Sequence, residues 1–469
     1  MKYRSLWPAI ICTIFCMISG WVPQIHSHEM NPRSSKKENC PSHLEPGSPI
    51  CELQQVITAI DHSDDYTPLL EKASKAQFVL IGDSTHGSHE FYQERINISK
   101  RLITEKNFRL IAIEGSWPQV YQLNQYIHSH IPQKAIQVLE VFNQYPDWVW
   151  KNTEMLDFIR WLRDYNNQNE NSKSKVSLYG IDVYNSKRSQ GLVVEYLKKF
   201  FPKEALLAQQ RYDCFLEFDD DIDQYAQAVR NDSSRSCESK VIQQYRDFMD
   251  CRIPCPDSSN GVNRETFFQA QQNALNVKNT EQYYRILYSE DSDAMSWNIR
   301  DQHMLESLKA QQRHLNNPKS ILWAHSSHLG NALATDMAKE GKLNVGQLLR
   351  QHYPNQVFSV GMLTYAGQVV ASDNWDAPAK VMSLLPAHPK SNVAIFHQLG
   401  VPRFFLLLQQ QPFGMVQWLN SSRWQRHVGV MYLPDEEIDA HYSQTHLVDE
   451  FDAIVYIDIT TPLSLLSTK

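Results

Sequence analysis

The stretch Gln77-Phe-Val-Leu-Ile-Gly-Asp-Ser-Thr-His-Gly87 indicates the fold class of this chain. Its first half, residues 77–82, is an apolar run ending in glycine, which is typical of a short strand buried on both faces. Residues 89–105 then carry apolar side chains at helical spacing, and residues 109–114 form a second apolar run. Strand, helix and strand in this order predict a βαβ unit, with parallel strands and a right-handed crossover.

The same alternation continues towards the end of the chain. Helical spacing at 154–166 is followed by an apolar run at 176–182, and residues 188–317 are mostly helical in character, which predicts a helical lobe or cap. Further strands are expected at 320–325, 357–363, 367–371, 402–408, 427–432 and 452–458. We therefore predict an α/β fold with a mainly parallel central sheet flanked by helices, together with a helical subdomain.

Titratable side chains follow several of these expected strands. In parallel sheets ligands bind beyond the carboxyl ends of the strands, and buried titratable groups are costly unless they serve a purpose. The side chains expected at that edge are Asp83, His86, Glu114, Asp182, His325 and His328. Their convergence predicts an active site there.

His86 is the candidate for a general base, because an imidazole titrates near neutral pH. A carboxylate from Asp83 or Glu114 that accepts the other ring N–H would fix the tautomer and increase the basicity of the ring. The alternative is a histidine that only caps a helix or packs. Arg95, further along the expected helix, could hold a carboxylate or a developing oxyanion, or form a surface salt bridge instead.

His325 and His328, in the segment His-Ser-Ser-His, leave three interpretations open. They could be a metal-binding pair, a pair that stabilises an oxyanion, or a turn with local hydrogen bonds. With His86 and Glu114 they would supply three histidines and one carboxylate to zinc. The chain lacks His-Glu-x-x-His, so a hydrolase without a cofactor is favoured over a zinc-dependent one. It also lacks a Gly-x-Ser-x-Gly elbow, a P-loop and a Rossmann glycine fingerprint.

Charge and the N-terminus suggest an exported protein with a small-molecule partner. The 469 residues carry a net charge of −7 and no cluster of Lys and Arg, which argues against nucleic acid. Charged residues precede an apolar run in the segment 1–27, the pattern of a secretory signal, with an uncleaved membrane anchor as the alternative. Residues 28–50 are polar, which indicates a flexible leader before a catalytic domain at 51–469. We expect a periplasmic or secreted protein that has no membrane contact after signal removal.

Six of the eight cysteines follow the expected signal. An even number of cysteines in an exported chain predicts disulfides. Local pairing is the simplest arrangement, and it would join Cys40 to Cys51, Cys214 to Cys237 and Cys251 to Cys255. Free thiols are the alternative, and a zinc site is disfavoured because no histidine lies at ligand spacing.

A series of segments, in order, resembles the erythromycin esterase family. They lie at 82–95, 112–114, 148–166, 179–184, 300–304, 323–328, 344–349, 375–378 and 441–452, so the likeness covers roughly residues 55 to 460. It implies a hydrolase that activates water, without a serine nucleophile, to open a macrolide lactone or another ester. Members also occur outside drug resistance, including in polysaccharide-related settings.

The resemblance also implies roles for particular residues. The histidine that matches His86 is the proposed general base, and matches to Arg95, Glu114, His325 and His328 complete the pocket. The family usually has glutamate where this chain has Asp83. The aspartate side chain is shorter than that of glutamate, so its carboxylate is displaced, and a displacement near 1 Å can cost on the order of a hundredfold in rate. The resemblance therefore supports hydrolysis more strongly than it supports a macrolide substrate.

These observations together indicate a metal-independent hydrolase of a small-molecule ester or lactone. His86 would take a proton from water, with Glu114 and Asp83 orienting it. His325 and Arg95 would hold the carbonyl oxygen, and His328 would support or shuttle a proton. The alternative from a different class is a non-catalytic protein that binds a small ligand or a haem-like group through His325 and His328.

Overall fold

The computed structural model describes residue 40 and residues 44–466, apart from 170, 172–173, 219–220, 258–260 and 290–291. The expected signal at 1–27 lies outside these residues, as does most of the expected leader. The strands are β1 Thr58–Ala59, β2 Phe78–Asp83, β3 Phe108–Ser116, β4 Ser177–Asp182, β5 Lys319–His325, β6 Val357–Ala371, β7 Lys380–Leu384, β8 Arg403–Leu407, β9 Arg423–Arg426, β10 Tyr442–Thr445 and β11 Ala453–Thr460.

The helices alternate with these strands. They are α1 Pro49–Gln54, α2 Thr67–Ala73, α3 His89–Lys106, α4 Trp117–Ile127, α5 Ala135–Leu139, α6 Thr153–Gln168, α7 Ser186–Phe200, α8 Pro202–Tyr212, α9 Ile222–Asn231, α10 Glu238–Met249, α11 Arg264–Leu287, α12 Ser292–His314, α13 Ser326–Leu329, α14 Val345–His352, α15 Asn392–His397, α16 Phe413–Leu419, α17 Glu437–His441 and α18 Leu447–Glu450.

A central sheet has the strand order β1-β8-β11-β6-β2-β5-β3-β4, and β7 pairs with the far end of β6. The pairs from β11 through to β4 are parallel, whereas β1, β8 and β7 join antiparallel. The predicted α/β fold with a mainly parallel sheet is therefore confirmed. Among the described residues, no helix combines the length and apolarity needed to cross a bilayer.

The central strands read as continuous apolar runs because both of their faces are buried. Along β2, Val79 and Ile81 face one hydrophobic core, whereas Phe78 and Leu80 face another on the opposite side of the sheet. Side chains alternate between the faces of a strand, so a strand covered by helices on both sides has no polar stripe. The α3 helix of the predicted βαβ unit ends at Asn107, which takes the left-handed conformation at φ 63°.

The two strands of the βαβ unit are not neighbours in the sheet. β5, which comes about two hundred residues later in the chain, lies between β2 and β3 and pairs in parallel with both. The insertion brings the end of β5 between the ends of β2 and β3, and this decides the geometry of the site.

Two strand predictions are wrong in detail. The expected strands 357–363 and 367–371 form the single strand β6, which continues because Gly367, at φ 136°, lets the chain pass close to the backbone of Thr460. Residues 427–432 are not a strand, and β9 ends at Arg426. Their backbone groups bond to loops on either side, which leaves no regular ladder.

Helices α7–α11 and the short 3-10 segment Asp213–Phe218 share a hydrophobic core of their own, whereas α12 packs on the central sheet through Met304, Leu305 and Leu308. The structure pairs Cys214 with Cys237 and Cys251 with Cys255 in this region, and Cys40 with Cys51 near the start of the described chain. These are the local disulfides that the spacing predicts, and they fit an exported protein.

Candidate active site

Titratable side chains end four neighbouring strands at one edge of the sheet. In spatial order they are Asp83 on β2, His325 on β5, Glu114 near the end of β3 and Asp182 on β4. Asp83 pairs in register with His325, and Ser116 with Asp182. The strand-end residues of the sequence analysis therefore lie together, as expected for a parallel sheet.

The carboxylate of Asp83 lies behind the imidazole of His86. Asp83 Oδ2 is 3.4 Å from His86 Nδ1, and Oδ1 is 3.0 Å from an Arg95 guanidinium nitrogen. Burial of Asp83 would raise the pKa of its carboxyl, but the charges of Arg95 and His86 outweigh this and hold the pKa below its usual value. An ionised carboxylate therefore faces Nδ1 of His86, and this favours a proton on that nitrogen.

Arg95 is fully enclosed in the protein and does not line the cavity described below. Its guanidinium donates to the carbonyl oxygens of Ile81 at 3.2 Å and Ala324 at 2.8 Å. Because these groups belong to β2 and β5, the charge is fixed between the two strands, directly behind Asp83. This placement does not favour the expected contact between Arg95 and a substrate oxygen. It makes Arg95 a support for the carboxylate of Asp83.

His325 is a neutral imidazole with a defined tautomer. Its Nδ1 accepts a hydrogen bond from the Ser327 backbone N–H at 3.3 Å, so the ring hydrogen belongs on Nε2. Burial, followed by the nearby charge of His86, holds the pKa of His325 well below its usual value. Nε2 has no hydrogen-bond partner in the part of the chain that the structure describes. The ring centroids of His325 and His86 are 5.0 Å apart.

Glu114 ties the neighbouring elements together. One carboxylate oxygen accepts from the His325 backbone N–H at 2.7 Å, and the other accepts from Arg300 at 2.7 Å. Arg300 also holds both oxygens of Asp182, at 2.9 and 2.7 Å. Burial would raise the pKa of Glu114, but His328 and Arg300 outweigh it and keep the pKa well below its usual value.

His328 is held between two carboxylates. Its Nδ1 lies 2.9 and 3.0 Å from the oxygens of the buried Asp301, and its ring stacks on Trp297. Its Nε2 lies 3.3 Å from Glu114 and 3.2 Å from a guanidinium nitrogen of Arg300. Burial and the charge of Arg300 would lower the pKa of His328, but Asp301 and Glu114 outweigh them and raise it to about 9. A ring that stays protonated at neutral pH fits a supporting charge better than a proton shuttle.

The site contains residues to which the sequence analysis gave no role. Arg300 and Asp301 lie on α12, where charged residues resemble the solvated face of a helix; the segment 300–304 appeared only as part of the family likeness. His427 lies within the stretch interpreted as a strand, and its ring centroid is 5.8 Å from that of His325.

A cavity of about 1120 Å³ opens above this edge of the sheet. His86, Glu114, His325 and His328 line its floor, and aromatic side chains surround it. The aromatic residues among its walls are Phe142, Tyr145, Trp150, Tyr184, Phe215, Tyr284, Trp297 and Trp375. Phe215 and Tyr284 come from the helical lobe, so the lobe forms one wall, as expected for a cap. The volume suits a bulky ligand with both polar and apolar parts.

The donor groups of the site do not form a ready set of metal ligands. Within the described ranges, no group of three or more His, Cys, Asp or Glu side chains is arranged to hold one. His328 is occupied by two carboxylates, and Nδ1 of His325 is occupied by Ser327.

Comparison with known proteins finds a match to the family described as "Erythromycin esterase" over residues 103–460. Erythromycin esterase type II of Escherichia coli is 23% identical over 326 residues, which cover 66% of this chain and 74% of that protein. A solved succinoglycan biosynthesis protein superposes with a TM-score of 0.75 at 19% identity and covers 89% of this chain and 98% of its own. An erythromycin esterase variant in its open conformation superposes with a TM-score of 0.63 at 16% identity, over 87% and 96%.

Proposed function

We propose that this chain, which belongs to the erythromycin esterase family, is an exported hydrolase that cleaves an ester or macrolactone with water activated by His86. Membership of the family supports a hydrolase with a small-molecule substrate. The observation that carries the mechanism is the placement of His86: its ring lines the cavity, and an ionised carboxylate lies behind Nδ1. With a proton on Nδ1, Nε2 is the nitrogen that is free to accept a proton from water.

The reaction proceeds in two steps. Water attacks the carbonyl carbon while His86 Nε2 takes one of its protons, and the carbonyl electron pair moves onto oxygen as the tetrahedral intermediate forms. That pair returns as the bond to the leaving oxygen breaks, and His86 gives its proton to the leaving alkoxide. An ester yields an acid and an alcohol; a lactone yields one hydroxy acid. No cofactor takes part.

The oxyanion needs a hydrogen-bond donor that is in place before the reaction. His325 supplies the Nε2–H of a neutral ring, and its position is supported by Glu114 at the backbone and Ser327 at Nδ1. Arg95 acts through Asp83 and does not contact the substrate. His328 and Arg300 keep Glu114 ionised, so that the backbone of His325 stays in place.

The size of the cavity and its aromatic walls support a bulky, amphipathic ester over a small one. A large lactone meets this description, and so does an acylated sugar. The aromatic rim includes Trp375, which is 60% exposed and meets the ring of Tyr145 edge-on at 5.2 Å. Such a surface buries apolar area of a ligand while leaving its polar groups in water.

The substrate class is tested with a panel of macrolactones, smaller lactones, acylated sugars and p-nitrophenyl esters, with products identified by mass spectrometry. Hydrolysis of at least one member is expected, and failure to hydrolyse any would overturn the proposal. Metal content is measured by elemental analysis of the same sample. If the protein contains stoichiometric zinc and loses activity on chelation, the zinc-dependent mechanism is correct. The proposal that His86 activates water without a metal is then wrong.

The role of His86 is tested by His86→Gln on the ester that the wild-type protein hydrolyses. We expect kcat to fall by about 10²- to 10⁴-fold, the usual contribution of a general base. His352→Gln, at an exposed histidine outside the cavity, is the matched control and should retain full activity. Wild-type turnover by His86→Gln would show that another group activates the water.

A further inference from the structure

His427 lies on the loop that follows β9 and is joined to the turn that carries His86. The backbone N–H of Val428 donates to Ser84 O at 2.8 Å, and the backbone N–H of His86 donates to Val428 O at 3.2 Å. On its other side, the His427 backbone N–H donates to His441 O at 2.7 Å. Through these bonds the main chain next to His427 has a fixed position relative to His86.

The His427 ring lines the cavity and continues a row of imidazoles. The ring centroids of His86 and His325 are 5.0 Å apart, and those of His325 and His427 are 5.8 Å apart. All three rings therefore border the space in which an ester carbonyl would meet water.

No side-chain hydrogen bond accounts for the presence of this imidazole. Nδ1 of His427 is buried and has no partner in the described part of the chain, and no described residue bonds to Nε2. A buried polar group left without a partner destabilises the folded protein. Packing alone would be better served by an apolar ring, and Nε2, the nitrogen that is not enclosed, is left to bond to something that enters the cavity.

The surroundings of His427 differ from those of His86 in one respect that decides its chemistry. His86 has the carboxylate of Asp83 behind it, whereas no described carboxylate contacts His427. Burial, with the nearby charge of His441, lowers the pKa of His427 to about 4, so the ring is neutral at physiological pH. A neutral imidazole that is hard to protonate is a poor base but a good hydrogen-bond donor.

We propose that His427 is a further catalytic residue, whose ring N–H donates a hydrogen bond to the carbonyl oxygen of the substrate beside the bond from His325. The proposal rests on ester hydrolysis as the proposed function. Two neutral donors would stabilise the oxyanion of the tetrahedral intermediate, and neither gives up its proton. Because Nδ1 is the buried nitrogen, Nε2 is the donor that faces the cavity.

The test compares His427→Phe with His427→Gln, whose amide N–H lies near the position of Nε2. On the ester that the wild-type protein hydrolyses, we expect His427→Phe to lower kcat by about 10²- to 10³-fold, the usual cost of one oxyanion donor. KM should change little. His427→Gln should recover at least part of kcat. His128→Phe is the matched control, because His128 is also neutral through burial but lies outside the cavity.

A phosphonate with the same acyl group supplies the second measurement, since its tetrahedral anion resembles the intermediate. Its inhibition constant should rise in proportion to the loss of kcat/KM across the variants, a relation that a merely structural role would not produce. Equal turnover by His427→Phe and wild type, or an unchanged phosphonate affinity, would overturn the role of His427 while ester hydrolysis stands. If His427→Phe does not fold, equal turnover by His427→Gln and His427→Ala decides against the role. A wild-type protein without any esterase activity would overturn the proposed function itself.

Discussion

Replacing Asp301 with asparagine tests the electrostatic support of the site. Both carboxylate oxygens of Asp301 face Nδ1 of His328, and one of them also accepts the Val345 backbone N–H at 2.8 Å. Asparagine keeps the shape and that backbone bond but removes the charge. The substitution therefore isolates the effect of the charge on His328.

The magnitude follows from the pKa of His328. Its usual value is 6.5, and Asp301 with Glu114 raises it to about 9, a difference worth about 3 kcal/mol. Because the pKa is raised in the folded protein, this contribution to stability is complete below pH 6.5 and is lost as the pH rises through 9. In Asp301→Asn we expect the pKa of His328 to fall by about 1 to 3 units, since an opposite charge has been removed next to a buried ring.

Two measurements check this prediction. Nitrogen-15 NMR of histidine follows the pKa of His328 directly, and urea unfolding gives the free energy of unfolding at pH 6 and at pH 9.5. The wild-type protein should lose stability between these values through His328, and Asp301→Asn should lose much less. Asp452→Asn, which removes a carboxylate paired with Arg350 and away from any histidine, is the control. A His328 pKa that stays near 9 in Asp301→Asn would refute the reasoning.

Two further predictions concern other parts of the molecule. Glu450 is buried, and burial raises the pKa of its carboxyl to about 8. Ionisation of Glu450 therefore destabilises the folded protein, and this cost is absent below pH 4.5 and complete above pH 8. Glu450→Gln should raise the free energy of unfolding by about 2 to 5 kcal/mol more at pH 9 than at pH 4. Equal effects at both pH values would show that the group is not desolvated. At the cavity rim, Trp375→Ala should raise KM for a bulky ester by roughly tenfold at unchanged kcat and leave a small p-nitrophenyl ester unaffected, because only the large ligand reaches the indole; the same change for both esters would contradict a binding role.

The strand-end part of the site was predictable because it depends on local patterns. The apolar runs before Asp83, Glu114, Asp182 and His325 identify buried parallel strands, and the carboxyl ends of parallel strands meet at one edge. The three local disulfides were predictable for a similar reason, since short separations along the chain make pairing simple.

The support behind these residues was not predictable in the same way. A charged pair such as Arg300 and Asp301, in the middle of α12, has the pattern of an exposed helix face. Only the packing of α12 against the end of the sheet shows that Arg300, which is partly buried, contacts Asp182 and Glu114, and that the buried Asp301 contacts His328. The stretch that contains His427 has the apolar character of a strand, and its backbone instead bonds to the His86 turn and to a neighbouring loop.

Local patterns along the chain were enough to determine the class of fold, the edge of the sheet at which a site forms, and the residue types that four strands bring there. The tertiary structure decided their order and their charges. β5 enters between β2 and β3 from far along the chain, and this puts His325 beside both Asp83 and Glu114. The protonation of the site depends on burial and on partners such as Arg95 and Asp301, which no local pattern reveals, because a pKa is set by whatever surrounds a group in space.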